Sequence, residues 1–300
     1  MENLCYFVNS RGLLKSCNFH SNNPKSSCNS DSKYLYFMLN NMYDGMSIYV
    51  CSDLLCFFVN LILPKINKKF VLVTGDSDLC VPIEALTMTQ TTKLVNSPFL
   101  IRWFAQNTRI QDNDKIIQMP IGLDYHTISN NPSSSWKLPD ENHLPRAQEL
   151  TLVNIKENSK PFYERNAKIY VNFSKNSDRF GDRNLALEKI SKELLAINDK
   201  FIPRTYTWKY ITKFAFVLSP FGTGMDCHRT WETLCLGSIP IVRAPHFKKL
   251  FEDLPVLIVE NWEDVTQELL DKTITDFSKK TFNYDKLKLS YWTNRIKKGY

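Results

Sequence analysis

Residues 214–242 read Phe214-Ala-Phe-Val-Leu-Ser-Pro-Phe-Gly-Thr-Gly-Met-Asp-Cys-His-Arg-Thr-Trp-Glu-Thr-Leu-Cys-Leu-Gly-Ser-Ile-Pro-Ile-Val242. The apolar run at 214–218 predicts a buried strand, and 219–226 a loop carrying Gly222 and Gly224. A short helix then spans 227–236, stops at Gly237, and leads into a second buried strand at 239–242. Strand, loop, helix, strand is the repeating unit of a parallel α/β sheet. A loop delivered onto a helix N-terminus is also an anion site, because unpaired N–H groups and the helix dipole favour a phosphate there.

Within that unit, Gly222, Thr223 and Gly224 are placed to cradle a diphosphate through their backbone N–H groups. Arg229 and Glu232 lie three apart and therefore on one helix face. The guanidinium suits a phosphate, and the carboxylate suits ribose hydroxyls. The plain alternatives are a tight turn, the ordinary use of Gly-x-Gly, and a surface ion pair of little energetic weight. No Gly-Lys-Ser/Thr follows the glycines and the third glycine of a dinucleotide fingerprint is missing. The loop fits a nucleotide-sugar better than ATP or NAD.

The same alternation runs outward in both directions. Extended runs are expected at 47–50, 69–73 and 116–119, with a helical run at 53–63. The Ser-, Asn- and Pro-rich stretch 129–145 reads as a surface loop, and 156–168, with Pro161, as a connector. Beyond it come a strand at 168–173, a helix at 183–195 with Asp182 as its cap, a strand at 255–259, and a helix near Glu263 capped by Asn261. The expected fold class is α/β, two Rossmann-like domains facing each other across a cleft. Residues 1–165 form the acceptor side and 166–300 the nucleotide-sugar side, with the last helix free to pack back on the first domain.

Length and composition agree. Three hundred residues suit two compact domains, and 43% hydrophobic with 13% aromatic residues can build real cores. The net charge of +7 is spread along the chain, which suits an anionic ligand. No zinc-finger, basic heptad or RNP-like pattern points to nucleic acid. Several of the eight cysteines sit in apolar runs and read as small hydrophobes of a reduced, cytoplasmic protein. Cys17, His20 and Cys28 lack a fourth ligand and make a weak metal pattern. No signal peptide or membrane span is visible, so a soluble protein without a transmembrane anchor is expected.

The order Ser219-Pro220-x-Gly222, Arg229-x-x-Glu232, Leu236-Gly237-x-Ile239-Pro240-Ile241-Val242 resembles the exostosin-like glycosyltransferases of family 47. Upstream, Tyr170-Val-Asn-Phe173 leading to Asp182-Arg183-Asn184 is similar to that family's strand followed by an Arg-Asn pair. The likeness covers about 168–264. It implies a GT-B fold, a nucleotide-sugar donor, usually a UDP-sugar, in the C-terminal half, and inversion during hexosyl or pentosyl transfer to a glycan or glycoprotein acceptor. Arg183 becomes a second diphosphate contact. Family members of animals and plants carry a Golgi anchor that is not seen here; the compact form looks more like those of large DNA viruses or microbes.

Inverting transfer needs a general base across the cleft from the donor. Open α/β sheets bind ligands at C-terminal strand ends, and the 69–73 run leads directly into Asp76 and Asp78. These are the first candidates, although turn formation and capping are ordinary roles for such aspartates. Asp124 and His126, after the 116–119 run, are the second. Asp226 and His228 sit in the donor loop and are set aside, with Asp226 read as a helix cap. Trp103, Phe104, Gln106 and Asn107 look like a sugar-binding set or core residues. Asp76-x-Asp78 also admits a metal-dependent GT-A reading. Two arginines and a helix N-terminus neutralise a leaving diphosphate without metal or other cofactor, so the metal-independent reading leads. A catalytically silent nucleotide- or glycan-binding module is the remaining alternative.

Overall fold

The computed structural model describes residues 1–21, 32–111, 113–131, 134–138 and 141–299. Two parallel sheets organise it, and the chain is an α/β protein. The first contains β1 (Met46–Cys51), β2 (Phe70–Gly75), β3 (Leu100–Ala105) and β4 (Ile116–Gln118), in the order β1-β2-β3-β4. The second contains β5 (Asn166–Val171), β6 (Leu195–Ile197), β7 (Phe214–Leu218), β8 (Ile239–Val242) and β9 (Leu257–Ile258), in the order β6-β5-β7-β8-β9.

Burial on both faces explains the continuous apolar runs. All six residues of β1 and all six of β2 are buried, as parallel strands covered on both sides require. Each Ile, Leu or Val removed from water there contributes about 1.5–3 kcal/mol. Register follows: Ile48 pairs with Leu72 and Tyr49 with Val73 in the first sheet, Val217 with Pro240 in the second. One buried cluster takes in Val71 and Phe104 of the first sheet and Tyr170 and Val217 of the second, so the two halves share a core.

The C-terminal helix Leu289–Lys298 packs on the first sheet. Leu289 N–H donates to Tyr6 O at 2.8 Å, and a Cβ on Gly299 would lie 2.9 Å from Ile101 Cγ2. With φ at +71°, Gly299 also closes that helix in the left-handed region.

Local rules failed in several places. The helix expected at 53–63 is a succession of short 3-10, α and π turns, the last of them running through Pro64. The helix expected to reach 195 stops at Lys189, and Leu195–Ile197 becomes the edge strand β6. Asp182 does not cap that helix. It is its first residue, is fully buried, and accepts from Phe221 N (2.9 Å), Arg243 Nε (2.8 Å) and Trp262 Nε1 (2.9 Å). Asp178 caps instead, accepting from Arg183 N and Asn184 N. Asn261 caps only the 3-10 turn Trp262–Asp264; the helix Gln267–Ser278 is capped by Thr266.

Candidate functional site

The strand order of the second sheet reverses between β5 and β7. The carboxyl ends on either side of such a reversal open a crevice, because the connections leave in opposite directions. After β5 come Asn172, Phe173 and Ser174; after β7 comes the loop with Gly222, Thr223 and Gly224. All line a cavity of about 710 Å³. Asp78, Ile121, Asp124 and Trp136 of the first half form its opposite wall.

Arg183 and Arg229 flank one phenyl ring, with guanidinium carbons 5.4 and 5.2 Å from the Phe173 centroid. Arg183 donates to Ser174 O at 2.7 Å and Arg229 to Asn172 O at 3.0 Å. Arg183 is 8% exposed and its Nε has no hydrogen-bond partner. Among the described residues, neither cation has an ion-pair partner. Burial, then the neighbouring Arg183 charge, brings Arg229 down to about 10. Two enclosed like charges are costly without an anion between them.

The glycines serve space, not turn conformation. Neither Gly222 nor Gly224 has a positive φ. A Cβ on Gly222 would run into the Arg183 guanidinium, and one on Gly224 would sit 3.1 Å from Asn107 Nδ2 and 3.2 Å from Asp78 Oδ1. Backbone, arginine and the opposite half converge there because side chains are absent.

Glu232 lines the same cavity, with Oε1 3.9 Å from Arg204 Nε. Arg204 is 5% exposed and reaches across to Asp124, pairing with Oδ2 at 2.9 Å and with the backbone oxygen. Burial alone would raise the Asp124 carboxyl, but Arg204, then His126 and His228, hold it far below the usual carboxylate range. Asp124 also accepts from Thr127 N at 3.0 Å. His126 Nδ1 approaches Asp124 Oδ1 to 3.0 Å without hydrogen-bond alignment. Burial brings His126 down to about 4, and this ring does not line the cavity.

Asp76 and Asp78 part ways. Asp76, in the left-handed region at φ +57°, pairs with buried Arg11 at 2.8 Å. Burial pushes it up to about 6 against the pull of Arg11. Asp78 faces the cavity, and burial raises its carboxyl while His228 and Arg179 lower it. The two carboxylates are therefore not presented together as a chelating pair. Among the described residues no three His, Cys, Asp or Glu side chains cluster as metal ligands. Cys28 lies outside the described residues; Cys17 is buried, and His20 Nδ1 lies 2.9 Å from Ser21 O.

Other roles expected from the sequence are redistributed. Trp103 and Phe104 are fully buried in β3, with Trp103 Nε1 donating to Thr74 Oγ1 at 2.9 Å. Gln106 accepts from Asp76 N, and Asn107 holds Ser77 O and Asp226 N. Asp226 is not a helix cap: it accepts from Ile121 N at 2.7 Å and Trp231 Nε1 at 2.9 Å, joining the halves. Burial raises it to about 6. His228, set aside on sequence, lines the cavity with Nδ1 2.7 Å from Gly122 O. A carbonyl only accepts, so Nδ1 carries a proton, and in the neutral ring Nε2 is the lone-pair nitrogen. Arg204 and Trp136 carried no sequence signal beyond their composition.

No protein-family model matches the sequence, and no curated protein does. Among solved structures, the chain is similar to one described as trehalose-6-phosphate from E. coli bound with UDP-2-fluoro glucose. That match has 13% identity and a TM-score of 0.39, over 89% of this chain and 73% of that one. A second, described as an OtsA apo structure, gives 12% identity and a TM-score of 0.35, over 88% and 72%. Superpositions this loose carry no argument about chemistry, which rests on the cavity itself. No helix among the described residues is long and apolar enough to cross a membrane.

Proposed function

We propose that the chain is a glycosyltransferase of GT-B type that moves a sugar from a nucleotide-sugar, of which a UDP-sugar is the first choice, to an acceptor hydroxyl. The observation that carries this is the pair Arg183 and Arg229, enclosed beside the glycine loop at the strand-order reversal without an ion-pair partner among the described residues. A diphosphate between them supplies the missing charge through bidentate hydrogen bonds. Thr223 and Gly224 offer backbone donors, the Gly222 N–H being given to Gly224 O at 3.0 Å instead of to a ligand as expected from the sequence, and Glu232 offers the ribose acceptor. Residues 166–300 are the donor half in this reading and 1–165 the acceptor half. The exostosin resemblance adds inversion and a glycan or glycoprotein acceptor, and rests on the motif residues alone.

The acceptor proton goes to Asp78. It lines the cavity with no ion-pair partner among the described residues, whereas Asp76 and Asp124 are each held by an arginine. A second proton acceptor is favoured by one specific observation, the Nδ1 hydrogen bond of His228 to Gly122 O, which selects the neutral tautomer with its lone pair on Nε2. Asp78→Asn and His228→Gln, each assayed for turnover and for donor affinity, separate the two: the base is the residue whose loss removes turnover and spares binding.

Neutralisation of the leaving diphosphate falls to the two arginines and not to a metal. Calorimetry with UDP, GDP and their sugar conjugates, with and without EDTA, tests the reading on wild type and Arg229→Ala. Binding that persists in EDTA and falls at least about tenfold in the variant is expected. No binding of any nucleotide removes the transferase reading; binding without turnover or hydrolysis leaves the silent module.

A further inference from the structure

The cavity has two ends. At one, Asp78 lies against Gly224 and the acceptor half. At the other, beyond β5 and on the side away from β7, the segment after β6 brings Asn198, Lys200 and Phe201 to the wall. There Trp136, from the connector that follows the first sheet, meets Phe201 edge-on, with ring centroids 5.9 Å apart and planes at 70°. Arg204 lies 5.1 Å from the Trp136 ring centroid, and the same guanidinium is 3.9 Å from Glu232. Trp136 is 45% exposed and Phe201 60%, although large aromatic rings are ordinarily buried.

We infer that Trp136 and Phe201 form the nucleobase clamp of the donor site, an edge-on stacking platform to which the first half contributes Trp136 and the second, which holds the rest of the ligand, contributes Phe201. This rests on the donor reading above and fixes the direction in which the donor lies. The diphosphate sits at the reversal between β5 and β7, and the ribose reaches Glu232. The next ring along the ligand then meets the indole that Arg204 supports. The sugar end points the other way, toward Gly224 and Asp78. Stacking of a base on an aromatic ring is sequence-tolerant and contributes without a hydrogen-bond code.

Intrinsic fluorescence reads this directly. Of the six tryptophans, the other five are at most 2% exposed. UDP added to wild type is expected to quench a solvent-exposed emission component, pyrophosphate is not, and Trp136→Phe is expected to lose that component. Calorimetry with Trp136→Ala is expected to weaken UDP about tenfold while leaving pyrophosphate unchanged. The inference is overturned if Trp136→Ala weakens UDP and pyrophosphate alike, or neither. Wild type that binds neither probe removes the donor reading and the clamp together, whereas pyrophosphate binding with UDP no tighter keeps the anion site and removes the clamp.

Discussion

The two sheets are built from the same strand-loop-helix unit and differ in one topological detail. In the first, β1 to β4 are laid down in sequential order. In the second, β5 is flanked by β6 on one side and β7 on the other, so successive connections diverge. Only the second therefore opens a ligand crevice by topology. The first contributes single groups from loops: Asp78 after β2, Asp124 after β4, Trp136 from the connector. In the proposed reading, phosphate and ribose recognition belongs to the half with the reversal, while the half without it supplies the proton acceptor and one ring of the nucleobase platform.

The sharpest way to break that division is Asp78→Asn. Turnover is expected to fall about 10²–10⁴-fold, the ordinary weight of a general base, with nucleotide affinity unchanged by calorimetry. Lost donor affinity in this variant means that the halves do not divide the work.

Arg229→Gln is next. UDP affinity is expected to fall about 10–100-fold, since a charge-assisted pair is lost. Without ligand the variant is expected to be more stable by about 1 kcal/mol and to unfold at a correspondingly higher temperature, because Arg183 no longer faces a second enclosed cation. A scan with and without UDP reads both signs, and a destabilised apo variant means that Arg229 is structural.

Proton linkage divides the buried aspartates by their partners and not by the half they belong to. Burial raises Asp76 and Asp226 from an ordinary 3.8 to about 6. The folded state therefore binds more protons than the unfolded one between those values. Stability from these two groups falls as pH rises from about 4 to 6 and is flat above. Asp124, depressed by Arg204, works oppositely: its contribution is present above 3.8 and lost on further acidification. Asp226→Asn is expected to reduce the fall in stability between pH 4 and 6, by about 1–3 kcal/mol at most, as read from melting temperature. An unchanged profile removes Asp226 as the titrating group.

Much of the cavity wall formed by the second half was legible because its signals are local. An apolar run, two glycines and an Arg-x-x-Glu spacing lie within 29 consecutive residues, 214–242. Arg183 was placed by a second local pattern. Arg204 was not legible, because its meaning comes from Asp124, 80 residues away, and from Glu232. Asp182 and Asp226 show the opposite failure. Each follows a loop and precedes a helix, so the capping rule takes them, yet tertiary donors from Trp262 and Ile121 claim their carboxylates. Trp103 and Phe104 read as either ligand-binding or core residues because the strand that buries them, β3, was not expected; the structure settles them as core.

The smallest expected effect tests how firmly the halves are held across the cleft. Arg179, in the loop after β5, pairs with Glu84 of the first half at 2.7 Å and donates to the Asp78 backbone at 3.4 Å. Both side chains are solvent-accessible, 38% and 28%, so the pair is screened and contributes at most about 1 kcal/mol. Its position matters more than its strength, because it ties the loop after β5 to the segment bearing Asp78. Arg179→Ala is expected to raise the donor KM about two- to threefold and leave kcat nearly unchanged, with the difference shrinking in high salt as screening removes the wild-type advantage. A kcat loss larger than the KM change would mean that the loop positions Asp78 itself, and the boundary between recognition and chemistry would then run through this contact instead of between the sheets.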